Sequence, residues 1–262
     1  MATPGAPNRA ELPDLFALKA VLFDLDGVVT DTAQVHAKAW KRLFDEFLAG
    51  REGDPQQLRP FALPEDYIAC VDGKPRYEGV RSFLESRGID LPWGDPSDPE
   101  DALTVCGLGN RKNRYFQKVM DQEGVLVFEG TVALIRALRA HGIRTGCVSS
   151  SKNCRPVLVR VGLLDQFDVI VDGVDLQRDE IPGKPEPEAF LRAAERLGVA
   201  PRDAAVVEDA VSGVQAGRAG RFGLVIGVDR GAGREALLAA GADVVVRDMA
   251  EFALPEGQRQ AD

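Results

Sequence analysis

The stretch KAVLFDLDGVVTDT, residues 19–32, decides how the chain is read. Val21, Leu22 and Phe23 form an apolar run too short for a helix and closed by a turn signal, which predicts a central strand of a parallel sheet. Asp24 stands where that strand stops, and Gly27 lets the chain leave sharply. Residues two apart on a strand share a side, so Asp24 and Asp26 are expected to present two carboxylates to one small volume, with Cα atoms about 6.6 Å apart. Crowded carboxylates repel unless a cation lies between them or one keeps a proton, and either state is chemically useful. Taken alone, DxDG is equally an Asp-rich turn. Later segments choose between the two.

From residue 123 onward strand and helix alternate. Thr131 to Ala140 reads as a helix, Arg144 to Val148 as a strand ending in SSSKN, and Pro156 to Val161 as a helix. Strand Phe167 to Val171, helix Pro187 to Leu197, strand Ala204 to Val207 ending in Glu208-Asp209 and helix Ala210 to Arg218 follow. Strand Phe222 to Val228, helix Arg234 to Ala240 and strand Asp243 to Val246 complete the run. That alternation predicts an α/β fold, a doubly wound, Rossmann-like parallel sheet.

Between the first strand and this region the pattern is helical only. Ala33 to Ala49 is amphipathic through Val35, Ala39, Leu43, Phe44 and Phe47, with His36 and Trp40 one turn apart. Arg76 onward and Asn110 to Met120, with Lys112 near its start, read as further helices separated by Gly- and Pro-rich loops. The expected organisation is therefore 1–33 core, opening on a loosely held leader of about 17 residues, 34–122 an inserted all-α cap, and 123–262 core, with a polar tail PEGQRQAD.

Composition narrows the function. The 262 residues carry 32 Lys and Arg against 41 Asp and Glu, a net charge of −9, which argues against nucleic acid as the partner because phosphate backbones call for a basic face. No stretch has signal-peptide or membrane-span character, so a cytoplasmic protein is expected. Cys70, Cys106, Cys147 and Cys154 lack CxxC spacing and read as free thiols. The expectation is a monomer acting on a small molecule, with neither nucleic acid nor membrane as partner.

In open parallel sheets ligands bind beyond the carboxyl ends of the strands. Asp24, Asp26, Ser149, Glu208 and Asp209 all follow strands at that edge, and Lys184, in IPGKPEPE, can reach it. Three or four carboxylates suit Mg2+, a hard cation that prefers oxygen ligands. Ser149 and Lys184 add a hydroxyl and a fixed positive charge, as a transferring phosphoryl group requires. An ionised Asp can attack phosphorus to form an aspartyl phosphate, and a second carboxyl can protonate the leaving oxygen. A rival signal, GAGREA at 231–236, follows a strand and opens a helix like a dinucleotide fingerprint, but too little chain remains after it for a nucleotide-binding half, so Gly231 and Gly233 read as loop flexibility.

With DLDGVVTDT, VSSSKN, GKPEPE and VVEDAVSGVQAG in this order, the chain resembles the haloacid dehalogenase superfamily of phosphotransferases. Through VDGKPR, RKN at 111–113 and SSSKN at 149–153 it is most similar, within that superfamily, to the β-phosphoglucomutase family. The resemblance implies Asp24 as the nucleophile and Asp26 as general acid and base, with its backbone carbonyl also on the metal. It implies Glu208 and Asp209 completing a Mg2+ site, and Ser149 and Lys184 holding the transferring phosphate. It further implies Arg76, Ser151, Lys152 and Asn153 on a second phosphate, His36 and Lys112 on the sugar, and Thr32 at a hinge. Trp40 reads equally as packing or as a face for the sugar. Arg76 and Lys112, outside the core motifs, also read as exposed charge. The implied reaction interconverts β-D-glucose 1-phosphate and glucose 6-phosphate through a bisphosphate, with a sugar-phosphate phosphatase as the alternative. A catalytically silent sugar-phosphate sensor is a third reading, disfavoured by the intact aspartate pair.

Overall fold

The computed structural model describes residues 12–252, and the chain divides into two compact units. One takes the chain up to Asp31 and from Leu126 onward; the other is Thr32–Val125. In chain order the elements are β1 (Ala20–Phe23), α1 (Ala33–Ala49), α2 (Glu65–Cys70), α3 (Arg76–Ser86), α4 (Val105–Glu123), α5 (Glu129–Ala140), β2 (Arg144–Val148) and α6 (Cys154–Arg160). Then come β3 (Val169–Val171), α7 (Gly173–Arg178), α8 (Glu188–Leu197), β4 (Ala204–Glu208), α9 (Val211–Ala219), β5 (Leu224–Val228), α10 (Arg234–Ala240) and β6 (Val244–Val246).

The first unit is a six-stranded, all-parallel sheet in the order β3-β2-β1-β4-β5-β6. The chain builds outward from β1 to β3 on one side and then returns to the other side of β1 for β4, so the topological switch lies between β1 and β4, where such sheets bind ligands. Register does the rest. Phe23 pairs with Val207 and with Cys147, so the residues just beyond, Asp24, Glu208 and Val148-Ser149, emerge together at one edge. All four residues of β1 are fully buried, as expected of a central strand covered on both faces. Leu22, Val148 and Val206 share a core with Phe190 and Leu197 of α8.

The second unit holds α1–α4. Its interior is a run of stacked rings, Trp40 on Phe44 (5.3 Å between centroids) and Phe44 on Phe83 (3.8 Å) and Phe61 (5.3 Å). The loop from Gly50 to Pro64 is pinned by Asp66, which accepts from Arg59 and from the buried Arg87. Among the described residues no helix is long and apolar enough to cross a membrane.

Several sequence expectations are corrected. Residues 12–17 are not a loose leader: Asp14 caps a short 3-10 turn at Leu15–Ala17, and Leu15 is 1% exposed. The rest of that leader, residues 1–11, and the tail from 255 lie outside the described residues. Helix α4 starts at Val105 rather than Asn110, capped by Thr104 Oγ1, so Lys112 sits about two turns into it. Its two early glycines hid that start, and both serve close approach. A Cβ on Gly107 would lie 2.5 Å from the Ala102 carbonyl, and one on Gly109 2.6 Å from the Tyr77 ring. The six-residue helices α2 and α7 are too short to show a period; α7 is set by an Asp172–Asp175 capping box.

Candidate active site

At the switch point the backbone delivers the acids. The Asp24 N–H continues the ladder, donating to the Val207 carbonyl at 2.9 Å. Beside it Glu208 ends β4, and its Oε2 accepts from the N–H groups of Asp209 and Ala210, both at 3.0 Å. The opposite oxygen, Oε1, fits only because α9 carries glycine at 213, where a Cβ would lie 1.9 Å from it. A glycine inside a helix costs about 1 kcal/mol against alanine, so Gly213 has a packing reason. The mid-helix glycine of VVEDAVSGVQAG is the sequence signal of that packing.

Asp24, Glu208 and Asp209 can each offer an oxygen within 4.8 Å of the others. Lys184, 4% exposed, reaches into this group: its Nζ donates to Asp24 Oδ1 at 2.5 Å, to Glu208 Oε1, and lies 3.4 Å from the Val148 carbonyl. Burial works to lower the Lys184 pKa, but the attraction of Asp24 and Glu208 outweighs it and holds the ammonium above its ordinary range. Asp24 is pushed up as well, which for a carboxylate disfavours the charged form. Burial, then Glu208 and Asp26, raise it well above its usual value despite the opposing pull of Lys184. The pocket thus holds more negative charge than one lysine offsets. An oxygen-only donor set of this kind, with Asp24 and Glu208 buried and Asp209 partly so, fits a hard divalent cation.

Asp26 is not part of that set. Because β1 ends at Phe23, strand alternation does not carry past Asp24. Residues 25–30 form a tight turn in which Gly27 N–H donates to the Thr30 carbonyl at 2.8 Å and Thr30 Oγ1 to the Leu25 carbonyl at 3.2 Å. Gly27 takes φ +88°, and a Cβ there would fall 1.9 Å from Asp209 Oδ2, so glycine is required on both counts. The Asp26 carboxylate lies 3.5 Å from Ser149 Oγ. Two aspartates two apart in sequence therefore meet different surroundings.

Ser149 follows β2, its N–H donating to the Val171 carbonyl at 3.0 Å. Its Oγ accepts from the Ser151 N–H at 3.0 Å, and Ser151 Oγ from the Asn153 N–H at 3.1 Å, so SSSKN is a compact hydroxyl-lined turn. The turn rests on Gly173, whose absent side chain would sit 2.5 Å from the Ser150 carbonyl. Lys152 Nζ donates to Gln177 Oε1 on α7, a partner that sequence reasoning missed because α7 itself was missed.

The remaining candidates lie in the helical unit. His36 Nδ1 is 2.6 Å from Lys112 Nζ, so the imidazole accepts there and carries its proton on Nε2. Burial, then the positive charges of Lys112 and Arg76, push the His36 pKa well below its usual value. Lys112 is buried with its ammonium 4.7 Å from the Trp40 ring centroid and 5.0 Å from that of Phe116. Trp40 is 3% exposed and stacked on Phe44, so of its two readings the structure carries packing. Arg76 opens α3, and its Nη2 donates to Asn113 Oδ1 at 2.9 Å. Burial lowers its pKa, and among the described residues no carboxylate pairs with it. The structure thus assembles two groups: Asp24, Asp26, Ser149, Lys184, Glu208 and Asp209 with the SSSKN turn at the sheet edge, and His36, Lys112 and Arg76 among the helices.

Comparison with known proteins agrees with this architecture. A family model for haloacid dehalogenase-like hydrolases matches residues 18–221. The chain is 52% identical over 240 residues to a β-phosphoglucomutase of Mycobacterium tuberculosis, covering 90% of this chain and 91% of that one. It is 34% identical over 241 residues to a β-phosphoglucomutase of Bacillus subtilis, covering 90% and 92%. The crystal structure of β-phosphoglucomutase from Clostridium difficile matches with a TM-score of 0.69 at 27% identity, covering 90% and 93%.

Proposed function

We propose that this chain, which belongs to the haloacid dehalogenase-like hydrolase family, is a β-phosphoglucomutase that interconverts β-D-glucose 1-phosphate and glucose 6-phosphate through glucose 1,6-bisphosphate. The observation that carries the proposal is the buried Asp24 carboxylate, held by Lys184 beside Glu208 and Asp209 at the switch point of the sheet. It stands with the similarity, over nine-tenths of the chain, to relatives bearing that name.

In this reading Asp24 Oδ attacks phosphorus, the P–O bond to the donor hydroxyl breaks, and an aspartyl phosphate forms. Asp26 gives the departing oxygen its proton and later takes one from the incoming sugar hydroxyl, whose oxygen then accepts the phosphoryl group and frees Asp24. The nucleophile must be ionised in a pocket that pushes its pKa up, so positive charge has to be supplied there. Lys184 supplies one unit, and Asp24, Glu208, Asp209 and the Asp26 carbonyl would hold Mg2+. Bound there, Mg2+ would neutralise the acids and stabilise charge on the transferring phosphoryl oxygens. Ser149 donates to those oxygens. Arg76, with Ser151, Lys152 and Asn153, would take the second phosphate, and His36 and Lys112 the sugar. A half-buried guanidinium without a carboxylate partner is costly and suits an anion that arrives from outside. A cytoplasmic monomer working on a small sugar phosphate completes the reading.

The test is direct. The protein is given β-glucose 1-phosphate, Mg2+ and a trace of glucose 1,6-bisphosphate, and glucose 6-phosphate is followed by a coupled dehydrogenase. Glucose 6-phosphate should form, and Asp24→Asn should abolish it. Accumulation of inorganic phosphate without glucose 6-phosphate would instead establish the second reading, a sugar-phosphate phosphatase, which the description of the family as hydrolases favours.

A further inference from the structure

The GAGREA segment, which resembles a nucleotide fingerprint in sequence, belongs in the structure to a loop that reaches back to the DxDG turn. Asp229 follows β5; its N–H donates to the Val246 carbonyl at 2.8 Å, and its Oδ1 accepts from the N–H groups of Gly231 and Gly233, each at 3.1 Å. Those glycines take φ +134° and +90°, values that side chains rarely adopt. The loop is therefore wound tightly on Asp229, and the residue it presents is Arg230.

The Arg230 guanidinium is spent on four neighbours. Nε donates to the Gly27 carbonyl at 3.0 Å, across 203 positions of sequence, and Nη1 donates to the Arg247 carbonyl at 3.0 Å. The plane covers the Phe128 ring at 3.6 Å. Nη2 is buried without a hydrogen-bond acceptor, Asp248 Oδ2 being 3.7 Å away. A buried donor without an acceptor is unfavourable, and an ordinary surface arginine would avoid it by turning to water. What holds it is Gly27, the residue after Asp26. The Gly27 N–H is already committed to Thr30, and its Cα lies against Asp209. Phe128, under the guanidinium, donates its N–H to the Val29 carbonyl at 3.0 Å. One planar cation thus ties the turn carrying Asp26 to the segment after Leu126 and to the ends of β5 and β6.

We infer that Arg230 is a positioning residue for phosphoryl transfer: it clamps the Gly27 peptide and so fixes the turn that carries Asp26 and borders Asp209. The inference rests on the proposed function only for the roles of Asp26 and Asp209; the clamp itself is a matter of the geometry given above. Lysine can reach one carbonyl but cannot serve two while lying flat on a ring, so Arg230→Lys should keep part of the effect and Arg230→Ala none.

The experiment uses the full chain with Arg230→Ala and Arg230→Lys. Misplacement near 1 Å costs about a hundredfold in rate, so kcat of Arg230→Ala should fall between about tenfold and a hundredfold while KM changes less than about threefold. Arg230→Lys should lie between Arg230→Ala and the parent. Guanidinium at about 20 mM, too dilute to unfold the protein, should restore Arg230→Ala several-fold and leave the parent unchanged. Amide exchange should quicken in peptides spanning 25–30 and stay as in the parent in β4 and β5. The inference is overturned by kcat within twofold of the parent, or by a loss that guanidinium does not relieve and that comes with faster exchange across the whole sheet. If the parent shows no mutase activity, the proposed function fails separately. Exchange at 25–30 and the rate on acetyl phosphate then still decide the role of Arg230.

Discussion

Replacing Lys184 by methionine should expose how much the acid cluster depends on the cation that Lys184 places inside it. Lys184 is buried and donates to both Asp24 and Glu208; methionine keeps the stem and removes the charge, leaving two buried carboxylates facing each other. Breaking a buried ion pair from one side costs about 3–5 kcal/mol. At about 2–4 °C per kcal/mol for a unit of this size, the melting temperature should fall by about 6–20 °C in chelator at neutral pH. The pH dependence has a definite sign. Asp24 already sits above its unfolded pKa, through burial first and then Glu208 and Asp26, with Lys184 opposing. Losing Lys184 raises it further. The folded state then binds more protons than the unfolded one across that window, so the variant should regain stability as pH falls and lose it as pH rises. Saturating Mg2+ should also restore part of the loss, by binding the folded state alone. Calorimetric melts with chelator and with Mg2+, across pH, measure all three effects. A Lys184→Met protein that melts within about 2 °C of the parent in chelator, or whose deficit grows on acidification, would refute the reasoning.

Gly213→Ala places a methyl where Glu208 Oε1 now sits, 1.9 Å from it; with overpacking costs of about 1–3 kcal/mol, stability should fall by that amount, and Mg2+ affinity measured by calorimetric titration should drop with it. His36 is held neutral by burial, Lys112 and Arg76, so its folded pKa lies below its unfolded one. The unfolded state binds the extra proton, and stability should be intact above about pH 6.5 and decline below it. Urea midpoints across that range should show the decline in the parent and a flatter profile in His36→Gln. Arg76→Ala should raise KM for the sugar phosphate about tenfold or more, as loss of a charge-assisted contact does, while hydrolysis of p-nitrophenyl phosphate, which has one phosphate and no sugar, should stay near the parent rate.

What the sequence determined by itself was local. The apolar run Val21–Phe23 and the alternation after residue 123 reveal a parallel sheet because periodicity and turn residues act within a few positions. The residue types at strand ends disclose phosphoryl-transfer chemistry for the same reason. Tertiary structure decided what depends on atoms distant in sequence. It set the carboxylate group as Asp24, Glu208 and Asp209, with Asp26 beside Ser149, because β1 ends at Phe23 and the turn over residues 25–30 replaces the strand geometry on which the pairing of Asp24 with Asp26 relied. It committed Trp40 to Phe44 and started α4 at Val105, whose glycines make sense only against Ala102 and Tyr77. It also gave the GAGREA segment a purpose, since the carbonyl that Arg230 holds lies 203 residues earlier in the chain. Spacing along a chain constrains neighbours in the chain; only packing tells which side chains, free to point many ways, share a volume and a charge.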